Sequence, residues 1–148
     1  MKADIAGQLA RLGMKLPPPP SPRGAYVGVS GQVSRVGDEI IAGPVGADTP
    51  PDVIRRAAQT CVLRAMSALV AAMPATMTVD RILFLRGFVH AVPGYVKYSE
   101  VMDEASALLL EIFGENGRHA RSAVGVSGLP SGGLLEIELT VSLVEGPF

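Results

Sequence analysis

Arg121, Glu136, Glu138 and His119 are the residues whose types and spacing suit chemistry. An arginine fork can hold a carboxylate through two parallel hydrogen bonds, and a carboxylate beside it can orient or deprotonate a water. Such a pair suits a small anionic substrate attacked by water. The plainer alternative is a cross-strand ion pair on a solvated sheet face, which contributes little.

Two runs must position these groups. Leu135, Ile137, Leu139, Val141 and Leu143 alternate with Glu136, Glu138, Thr140 and Ser142, the period of a half-buried strand. A shorter run over 119–126 alternates in the same way. Between them lies Ser127-Gly128-Leu129-Pro130-Ser131-Gly132-Gly133, a turn composition that predicts an antiparallel connection. If the apolar faces of the two strands coincide, Arg121 shares a face with Glu136 and Glu138, opposite the face covered by helices. His119 falls on the Arg121 side of its strand.

The remaining elements follow from periodicity. Ile5, Leu9 and Leu12 predict a short helix over 3–12, stopped by Gly13. Pro17-Pro18-Pro19-Pro20 imposes an extended connector through Pro22. Residues 25–34 and 39–42 form two extended runs flanking a Val36-Gly37-Asp38 turn. Thr49 is placed to cap a helix running to about Met73, with Ile54, Ala58, Cys61, Ala65, Leu69 and Met73 on one face. Cys61 lies on that apolar stripe and is expected to be a buried, inert thiol.

Residues 79–91 are apolar on both faces, which predicts a central strand ending at His90. Residues 98–113 form a second amphipathic helix, with Val101, Ala105, Leu108, Leu109 and Ile112 inward and Gly114 ending it. The expected fold is α+β: one domain spanning 1–148, with a single mixed or antiparallel sheet and two helices packed on one face. Residues 1–23 form its N-terminal helix and proline-rich lead-in.

Composition narrows the function. The chain has 148 residues, 48% hydrophobic and 18% charged, with mean hydropathy +0.34. That is apolar for a soluble monomer and points to surface buried between subunits. A net charge of −1, no Trp and few aromatics leave neither the electrostatic footprint nor the stacking platform of a nucleic-acid binder. One cysteine excludes an intrachain disulfide, and the two histidines show no zinc spacing. No run reaches membrane-spanning length, so a cytoplasmic protein without membrane contact is expected.

These residues together resemble the YjgF/RidA family, also called endoribonuclease L-PSP, whose fold is like chorismate mutase. The matching pieces are Leu16-Pro17-Pro18-Pro19-Pro20, Gly24-Ala25-Tyr26, Val29-Ser30-Gly31-Gln32, Gly46-Ala47-Asp48, Phe88-Val89, the stretch Gly117 to Val126 containing Ala120-Arg121-Ser122, Leu129-Pro130 and Glu136-Ile137-Glu138. The resemblance implies a homotrimer with ligand clefts between subunits. It implies that Arg121 holds a substrate carboxylate, that Glu136 positions a water, and that Tyr26, Ser30, Gly31 and Gln32 line the cleft. His119 is a further candidate for the cleft wall.

Two departures from the family pattern stand out. Ala123 takes the place of a cysteine, so chemistry needing that thiol is absent. Tyr26 and Ser30 are only four residues apart, where the family has about a strand's length between them; an alternative threading puts Ala42-Gly43-Pro44 at the Ser-Gly-Gln position. The implied activity is hydrolysis of reactive 2-imino acids to 2-keto acids and ammonia, with no metal or organic cofactor. The alternatives are a trimeric module that only binds a small carboxylate and, on weaker grounds, an endoribonuclease.

Overall fold

The computed structural model describes residues 4–14 and 25–146. The proline-rich segment 16–22 and Gly24, both used for the family resemblance, lie outside them. A short helix α1 (Ile5–Arg11) is capped by Asp4, whose carboxylate accepts from the Gly7 N–H at 2.9 Å. Leu12, placed in this helix by its spacing, is its C-terminal cap and is 70% exposed.

The body is one four-stranded mixed sheet and two helices. In chain order come β1 (Ala25–Val33), a small hairpin of β2 (Arg35–Val36) and β3 (Glu39–Ile40), α2 (Pro51–Ala72), β4 (Met77–His90), α3 (Tyr98–Phe113), β5 (Ala120–Val126) and β6 (Leu135–Glu145). The sheet order is β1-β6-β4-β5. β6 runs antiparallel to both β1 and β4, whereas β5 runs parallel to β4. No helix among the described residues is long and apolar enough to cross a membrane.

β4 is central, as its two apolar faces predict, and it stands between β5 and β6. The antiparallel connection expected from the Gly/Pro/Ser turn is therefore corrected: β5 and β6 are not neighbours. The reason lies upstream. A helix between two strands makes a crossover, and crossovers join parallel strands. β4, α3 and β5 form that unit, with β5 docked on the free edge of β4. Residues 127–133 then carry the chain past the end of β4 to its other side, through a short 3₁₀ turn at Pro130–Gly132.

The core forms where apolar stripes meet. Leu135, Ile137, Leu139, Val141 and Leu143 are all buried, as are Ile82, Leu85 and Val89 of β4. Against them α2 places Ala57, Ala58, Cys61, Val62, Ala65 and Leu69, and α3 places Val101, Met102, Ala105 and Leu109. The small Ala side chains let α2 approach the sheet closely. Thr49 does not cap α2. Pro50 takes the cap position with no side-chain bond, and Thr49 Oγ1 accepts from the Gly46 N–H at 2.9 Å instead.

Ser34 fastens the small hairpin to β6. Fully buried, its Oγ donates to the Ile41 carbonyl at 2.8 Å and accepts from the N–H groups of Leu134 and Leu135. A hydroxyl is the one small group that satisfies both a carbonyl and amides in an apolar setting.

Candidate functional site

The pairing of β4 decides where each candidate side chain points. Arg121 lies opposite Leu85, and Leu85 lies opposite Leu139. Both leucines are buried under the helices, so Arg121 also projects to the helix side. Glu136 lies opposite Phe88, and Glu138 opposite Arg86, on the face without helices. The expectation that Arg121 shares a face with the two glutamates is corrected. They occupy opposite faces of strands two positions apart, roughly 10 Å across the sheet; Arg121 is level with Leu139, so Glu136 lies a further three residues along β6, and within one chain they cannot hold the same small anion. A guanidinium that does share the glutamates' face is that of Arg86, opposite Glu138, which stacks 4.4 Å above the Phe84 ring. Its alternation with Phe84 and Phe88 was the available signal.

Arg121 is instead part of a cluster between β5 and α3. Its Nη1 donates to Asp103 Oδ1 at 2.9 Å and to Ser106 Oγ at 3.1 Å, and its Nη2 donates to the Ser99 carbonyl at 3.3 Å. Nε takes no partner among the described residues. The side chain is 23% exposed, so the fork is held in place while one edge remains reachable. His119, just before β5, contacts the same serine: Nε2 lies 2.9 Å from Ser106 Oγ, and Nδ1 lies 2.6 Å from the Gly117 carbonyl. Ser106, Leu110, Arg118, His119 and Arg121 line an open depression of about 340 Å³. Nothing in the sequence pattern marks Asp103 or Ser106 as functional. They sit one turn apart on α3, and only the parallel docking of β5 brings them to Arg121.

Glu136 belongs to a second cluster. β1 carries a bulge between Val29 and Gln32, and this puts Gly31 under the Glu136 carboxylate. A Cβ on Gly31 would overlap Glu136 Oε1, so the carboxylate rests where only glycine leaves room. Gln32 Nε2 donates back to the Ser30 carbonyl at 3.2 Å. Tyr26 is on the open face but opposite Ser142, six residues along β6 from Glu136, or about 20 Å. Within one chain Tyr26 is separated from Gly31 and Glu136. The alternative segment Ala42-Gly43-Pro44 lies elsewhere again: Ala42 bridges to Gly133, and Gly43 packs on the His90 ring. His90 Nδ1 is 3.2 Å from the Gly133 carbonyl, at the end of β4.

Cys61 is buried beneath this region, with Sγ donating to the Leu135 carbonyl at 3.4 Å. Burial pushes its thiol up to about 12; the nearby Arg64 opposes this and Glu136 adds to it. That is the reverse of a nucleophilic cysteine. A separate cavity of about 510 Å³ lies between residues 46–49, the first turn of α2 and residues 92–97. It contains none of the predicted site residues. At its wall, partial burial and then Glu100 raise the Tyr95 phenol above its ordinary range.

A family profile described as Endoribonuclease L-PSP matches residues 20–143. Protein TCP17 of Trypanosoma cruzi is 38% identical over 151 residues, covering 94% of each chain. Among solved structures, Atu1372 of Agrobacterium tumefaciens, of unknown function, is 33% identical with TM-score 0.70, covering 95% of this chain and 93% of that one. A Shewanella oneidensis protein described as a candidate endoribonuclease is 25% identical with TM-score 0.70, over 92% and 97% of the two chains.

Proposed function

This chain belongs to the endoribonuclease L-PSP (YjgF/RidA) family, and on that footing we propose that it hydrolyses reactive 2-imino acids to 2-keto acids and ammonia. The observation that carries the reading is the guanidinium of Arg121, fixed by three partners with one edge reachable. Such a fork suits the carboxylate of a small 2-imino acid. Glu136 is the acid–base partner, and its place on the opposite sheet face requires a second copy of the chain. We therefore place the complete site between subunits of a homotrimer, with Arg121 from one protomer and Glu136 from its neighbour.

The chemistry there is modest. Glu136 takes a proton from a water as its oxygen bonds to C2 of the imine, and returns that proton to the imine nitrogen. The carbinolamine hydroxyl proton then passes by way of Glu136 to the amino nitrogen, the C2–N bond breaks, and ammonia departs to leave the keto acid. Because such imines hydrolyse unaided, holding carboxylate and water in line supplies much of the acceleration. Ala123 offers no thiol, so no covalent intermediate forms at that position. To test this, 2-iminopropanoate is generated enzymatically and its decay followed. Wild type accelerates the decay, and Arg121→Ala and Glu136→Gln each remove the acceleration. Equal decay with and without wild-type protein rejects the activity.

One observation favours a second reading, a trimeric module that binds a small carboxylate without turning it over. Asp103 already takes part of the Arg121 fork, which suits reversible exchange of carboxylates as well as catalysis. Thermal stabilisation by keto acids or amino acids, with no effect on imine decay, selects this reading. RNA cleavage, the activity in the family's name, finds less support. The net charge of −1 gives little attraction for a phosphate backbone.

A further inference from the structure

The Ser106–His119 contact has the geometry of a nucleophile and its base, and we propose that this pair is a second catalytic site, acting on small carboxylic esters or thioesters that carry an acid group. Ser106 Oγ and His119 Nε2 are 2.9 Å apart, within the range for proton transfer. The tautomer is fixed from the far side. His119 Nδ1 lies 2.6 Å from the Gly117 carbonyl, and because a carbonyl only accepts, Nδ1 carries the hydrogen. In the uncharged ring Nε2 is then the acceptor, facing the serine hydroxyl. The Gly117 carbonyl plays the orienting part of a triad's third member.

The surroundings fit the same use. Arg121 Nη1 donates to Ser106 Oγ at 3.1 Å, which favours negative charge on that oxygen. Ser106 and His119 both line the open depression, whose other walls are Leu110, Arg118 and Arg121. Arg118 pairs with Glu115 Oε2 at 2.9 Å and Arg121 with Asp103; both pairs are partly exposed, and the remaining guanidinium donors beside Leu110 suit an acyl group bearing a carboxylate. Gly117 is held by backbone: a Cβ there would meet the Leu109 carbonyl oxygen at 2.5 Å, so the carbonyl that orients His119 has little freedom to move.

The reaction balances without an added reagent. Oγ bonds to the ester carbonyl carbon as its proton passes to Nε2. The bond from that carbon to the alkoxy oxygen or thiolate sulfur breaks, and the leaving group takes the proton from Nε2. Water then attacks the acyl-serine, gives its proton to Nε2, and the carbon–Oγ bond breaks as Oγ recovers that proton. The sum is ester plus water to acid plus alcohol or thiol. The proposal shares only Arg121 with the imine reading.

The test uses the full chain with a fluorophosphonate probe, mapped by peptide mass, and hydrolysis of 4-nitrophenyl hemisuccinate. Wild type is expected to carry one adduct, on Ser106. Ser106→Ala abolishes the adduct, and Ser106→Ala and His119→Asn each lower hydrolysis on the order of 100-fold. Wild type with no adduct at Ser106, or equal hydrolysis by wild type and Ser106→Ala, overturns the proposal: the hydroxyl then only bridges His119 and Arg121. Imine decay measured in parallel keeps the two ideas apart. Labelling without imine activity sinks only the earlier reading; imine activity without labelling sinks only this one.

Discussion

Arg121 Nη1 sits 2.9 Å from Asp103 Oδ1, so the cation proposed to hold substrate already has a carboxylate from its own chain. Asp103 is 67% exposed while Arg121 is 23% exposed, and a pair with its carboxylate in solvent contributes on the order of 1 kcal/mol. It is a weak occupant that a substrate carboxylate can displace. Asp103→Asn is expected to leave stability within about 0.5 kcal/mol and to tighten 2-oxobutanoate binding several-fold, measured by calorimetry. Weaker binding in the variant means that Asp103 orients the fork and does not compete for it.

The contact between Gly31 and Glu136 leads to a second variant. In Gly31→Ala the new methyl meets Glu136 Oε1, the far end of a flexible side chain. The carboxylate swings aside at little cost to the fold, but it no longer stands where it is needed. Displacement by about 1 Å costs on the order of 100-fold in a positioned reaction. The expected result is loss of most imine acceleration with a melting temperature close to wild type. Full activity in this variant removes Glu136 from the mechanism.

Much of this architecture is legible in the sequence, and the exceptions have a common cause. The alternation of Leu135 to Leu143, the span of α3 and the central place of β4 all follow from local periodicity, because each depends on which side of one element is apolar. Periodicity does not say which strand lies beside which. The Gly/Pro/Ser stretch 127–133 has the composition of a hairpin turn, yet it passes around the end of β4. Once β5 and β6 are taken as neighbours, Arg121 is carried to the wrong face, because its orientation is set by Leu85 and not by Glu136. The helix lying between two strands was the signal for a parallel pair. Asp103 and Ser106 look like the polar side of an amphipathic helix and acquire meaning only when β5 docks beside them.

Gly117 offers a test of rigidity behind His119. It is buried, and a Cβ there meets backbone atoms, Leu109 O at 2.5 Å and Leu110 Cα at 3.2 Å. Backbone in the last turns of α3 cannot swing away as a side chain does. Gly117→Ala is expected to destabilise by about 1–3 kcal/mol, the usual cost of overpacking, and to loosen the Gly117–His119 hydrogen bond. Urea unfolding measures the first, and the His119 imidazole shifts in NMR report the second. A variant as stable as wild type means that the turn following α3 yields more easily than its contacts imply.

Cys61 gives a prediction in pH. The folded thiol is pushed up to about 12 from its ordinary 9.0, so between those values the unfolded chain loses a proton that the folded chain keeps. Stability rises with pH where the unfolded state binds more protons; here it binds fewer, so stability falls as pH rises above 9. The slope approaches about 1.4 kcal/mol per pH unit. Cys61→Ala lacks this contribution and leaves no carbonyl unpaired, because Leu135 O also accepts from the Ser34 N–H at 2.9 Å. The stability advantage of wild type over Cys61→Ala is therefore expected to shrink by about 1.2 kcal/mol between pH 8.5 and 10, read from urea unfolding at each pH. A constant difference over that range means the thiol ionises in the folded protein as it does in water, and water then reaches the space between α2 and β6.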